Sequence, residues 1–370
     1  MAIRRPKSTA NRASPYGQAV RPGVISAPTG APSNKGLKPA KGGGKGAGAA
    51  AATPRQSGTP FPMERKYGQN LLKNPGILDK IVDAAELKSA DVVLEIGPGT
   101  GNLTLKCLAQ CRRVEAIEVD PRMAAEVKKR VVENGRTNLN VIIGDALRTN
   151  FPVFDVCVAN LPYQISSPFV FKLLAHRPWF RAAVIMFQQE FAERLVAEVN
   201  TDKYGRLAVN CQLFAKITRV CKVGRANFNP PPKVDSMVVK IVPRVPPIEV
   251  NFREWDGLMR ICFNRKRKTL SAGFKVTTVI KTLEDNYKTF CSLKNVAPST
   301  TPFKELLLEP LAELNVATKR AVQLDLDQFF ALLLAFNKRG IHFTNVADRN
   351  ASTAEIDPSL FVEQPDAEMD

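Results

Sequence analysis

Between residues 70 and 242 the apolar positions fall into short continuous runs, and stretches with helical spacing separate them. The runs at 91–96, 113–119, 139–143, 154–159 and 182–187 predict buried strands, while 75–87, 102–110, 121–133, 168–175 and 189–199 predict helices. Asp120 stands where it can cap the 121–133 helix, with Pro121 at the first helical position. Strands that are apolar throughout and alternate with helices predict a doubly wound α/β fold, its parallel sheet covered on both faces. Two further β-rich segments, 207–215 and 236–242, have no long helix between them and predict an antiparallel pair at the sheet edge.

Beyond 243–247 the strand pattern stops. Segments 252–263, 269–274, 303–313 and 326–337 carry helical spacing and predict a small C-terminal all-α domain. The expected organisation is a basic disordered arm at 1–63, an α/β domain at 64–247, a helical domain at 248–345 and an acidic disordered tail at 346–370. No internal repeat is present.

Composition changes this picture at the ends. The 370 residues carry a net charge of +18, but residues 1–63 hold ten Lys and Arg with no Asp or Glu, which leaves +8 for the remainder. That arm is rich in Gly, Ala, Pro and Ser and has too little apolar surface to offset its ordering entropy. An RNA contact, a nucleolar address, a mitochondrial transit peptide and a plain solvated extension all fit it. The excess positive charge favours a polyanionic partner, with nucleic acid the commonest. Seven cysteines without a Cys-x-x-Cys pair, and two histidines, argue against a disulfide framework or a metal site and for reduced core thiols. The longest apolar run, residues 329–336, is too short to cross a bilayer, and the N-terminus lacks an apolar signal region, so neither membrane nor secretion is expected.

The candidate chemistry sits at strand ends. Glu95, Gly97, Gly99 and Gly101 form a Glu-x-Gly-x-Gly-x-Gly turn after the first long strand, a cradle for a nucleotide-sized cofactor. The spacing differs from the Gly-x-Gly-x-x-Gly of NAD proteins, because position 103 is Leu. An acid beside the turn suits the ammonium and sulfonium of S-adenosylmethionine better than a pyrophosphate. Glu118, ending the next strand, is placed to accept ribose hydroxyls, and Asp145 after the following one to accept the adenine amine. Each acid alone also reads as a solvated loop charge.

Asn160, Leu161, Pro162 and Tyr163 follow the 154–159 strand and predict attack by an amino group on a base. The lone pair of an adenine amine is conjugated into its ring. Acceptors from the Asn160 side chain and the Leu161 carbonyl can hold both N–H groups, Pro162 stiffens the turn, and Tyr163 can stack on an extruded base. Positioning, rather than a strong general base, then supplies catalysis. An ordinary Asn-x-Pro turn with a packed Tyr is the plain alternative.

These residues, with Tyr67-Gly68-Gln69-Asn70-Leu71-Leu72 and the segment from Asn227 through three prolines to Ser236, resemble the ribosomal RNA adenine dimethyltransferase family, closest to its eukaryotic small-subunit members. The resemblance covers about residues 66–344. It implies a Rossmann-like class I methyltransferase that uses S-adenosylmethionine to dimethylate two adjacent adenosines at N6, in a hairpin loop near the 3′ end of small-subunit rRNA. Gln69, Asn70 and Leu72 then close over the methionine part of the cofactor, although many eukaryotic members carry His where this chain has Asn70. Gly97, Glu118, Asp145 and Asn160 correspond to the family's cofactor and catalytic positions. Phe228 matches its second base-stacking aromatic, with a core position as the competing reading. Arg265, Lys266, Arg267 and Lys268 form a basic cluster suited to RNA phosphates, against a solvated helix end as the alternative. Small-subunit pre-rRNA and its particle are the implied partners, the expected address is the nucleus and nucleolus, or else the mitochondrion, and nothing requires more than a monomer. Rival functions are an RNA-binding assembly factor with dispensable catalysis, a DNA adenine methyltransferase and, more remotely, an NAD dehydrogenase.

Overall fold

The computed structural model describes residues 70–344 apart from Pro247, together with Val346. The expected arm, the acidic tail and Gln69 lie outside the described residues. The first part contains β1 (Leu71–Leu72), α1 (Pro75–Ala85), β2 (Val92–Ile96), α2 (Asn102–Leu108), β3 (Arg113–Glu118), α3 (Pro121–Glu133), β4 (Leu139–Ile143), β5 (Val156–Asn160), α4 (Ser166–Ala175), β6 (Ala182–Gln188), α5 (Gln189–Leu195), α6 (Arg206–Phe214), β7 (Ala215–Val223), β8 (Phe228–Asn229) and β9 (Ser236–Pro243). Six helices follow: α7 (Phe252–Asn264), α8 (Leu270–Phe274), α9 (Thr277–Lys294), α10 (Phe303–Leu306), α11 (Glu309–Glu313) and α12 (Leu326–Lys338).

Seven strands form one sheet in the order β4-β3-β2-β5-β6-β9-β7, and β1 pairs with β8 in a separate two-stranded ladder. Strands β2 to β6 run parallel, and β9 and β7 add antiparallel to the β6 edge. The chain winds outward from β2 through β3 to β4, then returns to place β5 on the other side of β2. The strand order therefore reverses between β2 and β5, the position at which doubly wound sheets hold ligands.

Alternation along each strand divides the interior into two cores. Val93, Val158 and Val184 face α1, α2 and α3, where they meet Leu78, Ile81, Leu103 and Val127. Leu94, Cys157 and Ala183 face the other way, toward Phe169, Leu173 and Val209. That second core continues without a break into Trp255, Phe274, Phe329 and Phe336 of the C-terminal helices. A buried polar chain ties the same two regions together. Trp255 Nε1 donates to Asn210 Oδ1 at 3.1 Å, Asn210 Nδ2 to Asp256 Oδ1 at 2.7 Å, and Arg260 Nε to Asp256 Oδ2 at 2.6 Å.

The expected elements differ from the observed ones in three places. Residues 206–214 are helix α6 and the edge strand is β7, at 215–223, rather than a strand at 207–215. Helix α6 is buried almost all round, which erases the 3.6-residue signal, and β7 carries Lys216, Arg219 and Lys222, charges that protect an exposed edge. Helix α9, 18 residues long, has no counterpart among the predicted helices because it buries only Leu283, Asn286 and Cys291. The single helix expected at 303–313 is two short ones, with Pro310 opening the second.

Candidate active site

The glycine turn leaves β2 and crosses the tip of β3. Gly97 N donates to the Ile117 carbonyl at 2.9 Å. Gly99 has φ +55, which glycine adopts without strain, and lies close beneath the segment entering from β1: a Cβ there would stand 2.7 Å from Leu71 Cδ2. Gly101 acts differently from the expectation. It lines neither of the cavities described below, and a Cβ on it would meet Val127 Cγ2 at 2.8 Å, so it serves the close packing of α2 on α3.

Glu118, at the end of β3, is only 5 % exposed. Its Oε2 accepts the Gly99 N–H at 3.2 Å and its Oε1 the Asp120 N–H at 3.0 Å. Burial raises its pKa above the ordinary carboxylate range, with those two N–H groups partly offsetting the effect. Two backbone hydrogen bonds thus fix the carboxylate at the cavity wall. Asp145, more exposed, follows β4 and accepts the Leu147 N–H on Oδ1 at 2.9 Å.

Ile96 pairs with Ala159 across β2 and β5, so Asn160 emerges beside the glycine turn. A Cβ on Gly97 would lie 3.9 Å from the Asn160 carbonyl oxygen. Asn160 Nδ2 donates to the Asn70 carbonyl at 3.0 Å, which leaves Oδ1 as the acceptor end of the amide. The Tyr163 hydroxyl is 2.8 Å from Ser236 Oγ, so the ring is held from β9, and burial raises its pKa.

These groups surround one cavity of about 330 Å³, which also takes in Asn70, Gly97, Gly99, Leu161, Pro162 and Phe228. Its volume falls within the range of small-molecule sites. Its apolar wall comes from Ile96, Ile117, Met123, Ala146 and Ile165. Sequence reading did not single these out, although each stands at or just past an element end, where a doubly wound fold exposes side chains to its ligand. Phe228 borders the cavity but is only 4 % exposed and packs in the core with Leu72 and Leu78, so little of its ring is open for stacking.

Glu95 and Leu72 border a separate recess of about 30 Å³, which shares Leu71, Gly97 and Asn160 with the larger cavity. Glu95 is 2 % exposed, with the Thr104 hydroxyl beside its carboxyl. Burial pushes its pKa up to about 7; Thr104 lowers it somewhat and the Glu118 charge raises it. Arg265, Lys266, Arg267 and Lys268 lie elsewhere, exposed on the loop between α7 and α8. Lys266 Nζ donates to the Asp202 carbonyl at 3.3 Å, and among the described residues none of the four pairs with a carboxylate.

A Rossmann-like sheet with this glycine turn, an acid ending the next strand and an Asn-Leu-Pro-Tyr turn beside it defines a class I methyltransferase. Residues 61–308 match the family described as ribosomal RNA adenine dimethylase. The chain belongs to that family and is an rRNA adenine dimethyltransferase. It is 56% identical over 287 residues to a probable dimethyladenosine transferase of Dictyostelium discoideum, covering 76% of this chain and 91% of that one. Its identity to the dimethyladenosine transferase of Saccharomyces cerevisiae is 47% over 294 residues, covering 77% and 92%. The crystal structure of a dimethyladenosine transferase from Plasmodium falciparum superposes with a TM-score of 0.71 at 56% identity, over 74% of this chain and 99% of that one. The 23S rRNA methyltransferase ErmE gives 0.50 at 26% identity, over 72% and 100%. Family and neighbours alike imply S-adenosylmethionine as the methyl donor.

Proposed function

We propose that this enzyme binds S-adenosylmethionine in the cavity between β2 and β5 and dimethylates two adjacent adenosines at N6, in a hairpin loop near the 3′ end of small-subunit rRNA. The observation that carries this reading is the Asn160 side chain, whose acceptor end is available at a strand tip that touches the glycine turn. The bound donor supplies a methyl group on an electrophilic sulfonium. Glu118 holds the ribose, Asp145 the adenine amine, and Glu95 offers negative charge to the cationic end. Asn160 Oδ1 and the Leu161 carbonyl accept the two N–H groups of the target amine and turn its lone pair toward the methyl. Tyr163, held through Ser236, stacks on the extruded base. A loop substrate suits this geometry because its bases are splayed out at little cost.

The basic loop at Arg265 to Lys268 contacts RNA phosphates. The enzyme acts on the pre-ribosomal particle in the nucleolus and contributes to small-subunit biogenesis.

Labelled methyl transfer to an rRNA hairpin, in competition with duplex DNA, tests this. N6,N6-dimethyladenosine in the hairpin is the expected product, and preferential labelling of DNA overturns the reading. A fluorescent fusion of the full chain is expected in nucleoli; mitochondrial fluorescence overturns that address.

A further inference from the structure

Helix α4 begins directly after the catalytic turn, and near its end Lys172 reaches back toward the loop between β4 and β5. Its Nζ donates to the carbonyls of Ala146 at 2.8 Å, Leu147 at 3.1 Å and Thr149 at 2.6 Å. An ammonium has three N–H donors, so this one spends all of them on a single four-residue turn. The Phe151 ring lies 4.3 Å beneath the charge.

The turn is built to receive it. The Arg148 and Thr149 N–H groups point inward to the Asp145 carbonyl at 2.9 and 2.8 Å, and the Leu147 N–H points to the Asp145 carboxylate at 2.9 Å. The carbonyls of 146, 147 and 149 are thereby left to converge on one point outside the turn. Lys172 occupies that point. Without it, three partly buried acceptors of like polarity would face each other unpaired, and the turn would relax.

We infer that Lys172 is a positioning residue, clamping the Asp145–Ala146 wall of the cofactor cavity to the helix that carries the opposite wall at Leu161 to Ile165. This rests on the donor-binding reading above. Ala146 and Ile165 both face the cavity, so the clamp sets the separation of the two sides between which the donor's adenine is held. The expected consequence is confined to cofactor affinity, because Lys172 does not border the cavity and Asn160 and Tyr163 have anchors of their own.

The full-length protein tests this in three forms, wild type, Lys172→Met and Lys172→Arg, by calorimetry with S-adenosylhomocysteine and by steady-state methylation of an rRNA hairpin. Lys172→Met, similar in length but without donors, is expected to raise the Kd for S-adenosylhomocysteine and the KM for S-adenosylmethionine by about tenfold or more, the effect of leaving buried acceptors unpaired. Turnover at saturating cofactor and the KM for RNA stay near wild type, and Lys172→Arg recovers much of the loss. A fall in turnover and melting temperature with an unchanged cofactor KM overturns the inference, because that pattern belongs to a purely structural staple. If Lys172→Met does not fold, Lys172→Gln, which keeps part of the donor set, decides: a raised cofactor KM with turnover unchanged supports the clamp, an unchanged KM overturns it. Wild-type protein that binds no S-adenosylhomocysteine would instead overturn the donor-binding reading itself.

Discussion

Burial holds the Glu95 carboxyl near pH 7 in the folded chain, against 4.5 when it is solvated. The folded state binds this proton more tightly than the unfolded state, so stability declines as pH rises from about 4.5 to 7, by about 3 kcal/mol at most. Glu95→Gln removes that slope. Thermal melts are expected to show the variant equal to wild type near pH 5 and more stable than it above pH 7. Donor affinity behaves in the opposite sense, since a cation beside Glu95 favours the ionised form. Calorimetry is expected to find binding that strengthens between pH 6 and 8 in wild type, and binding that is weaker and flat in Glu95→Gln. Asn160→Ala is expected to lower dimethyladenosine formation by about 10² or more while RNA affinity holds, because it removes an orienting acceptor and, within the protein, only the bond to the Asn70 carbonyl. The gathering of Asn160, Glu118, Gly97 and Gly99 at one cavity was legible in the sequence because each stands at a strand end, where the turn leaves a local mark. The contacts of Lys172 with the 146–149 carbonyls and of Ser236 with Tyr163 left none. Each side chain acts on a partner far along the chain, and an isolated Lys or Ser looks the same whether it faces water or a cluster of carbonyls.

At the scale of elements, the parallel strands could be read because strands buried on both faces are apolar throughout, and α3 because Asp120 and Pro121 mark its start. Helix α6 misled for the complementary reason. A helix enclosed on nearly every side loses its periodicity, and its neighbour β7 is polar enough to resemble a loop. Helix α7 shows a closeness that pattern cannot reveal. A Cβ on Gly257 would lie 2.2 Å from the Phe343 carbonyl oxygen and 2.9 Å from Phe343 Cβ. In the next turn of the same helix, Glu254 Oε2 accepts the Phe343 N–H at 2.8 Å. Gly257→Ala is therefore expected to push the segment after α12 off the helix and lower stability by about 2 kcal/mol or more, a shift readable in the midpoint of urea unfolding.

For the molecule as a whole, the unbroken core and the Asn210–Asp256–Trp255 chain join the sheet to the helices that carry the basic loop. Asn210→Ala takes one donor from the buried Asp256 carboxylate, which keeps Arg260, and leaves the Trp255 indole N–H without its acceptor; it is expected to cost about 2 kcal/mol while unfolding remains a single transition by both fluorescence and circular dichroism. Charge acts at the same scale. Alanine at Arg265, Lys266, Arg267 and Lys268 together is expected to reduce the slope of log binding constant against log salt by up to about 3, at about 0.7 per phosphate contact on single-stranded RNA. The ladder of β1 with β8 bears on the pace of the reaction. Two residue pairs and the flanking bonds from Lys73 and Asn74 to Asn227 join these two strands to each other, apart from the seven-stranded sheet, beside the cavity that Leu71 and Phe228 line. Dimethylation consumes two donor molecules for every adenosine, so spent donor has to be exchanged between rounds, and this short ladder is expected to be the element that yields for that exchange while the large sheet stays intact. Weakening the clasp with Asn74→Asp, which keeps the cap on the Gly76 N–H but loses the donor to Asn227, should then hasten the second methylation relative to the first, and the ratio of mono- to dimethylated product in a single encounter would record it.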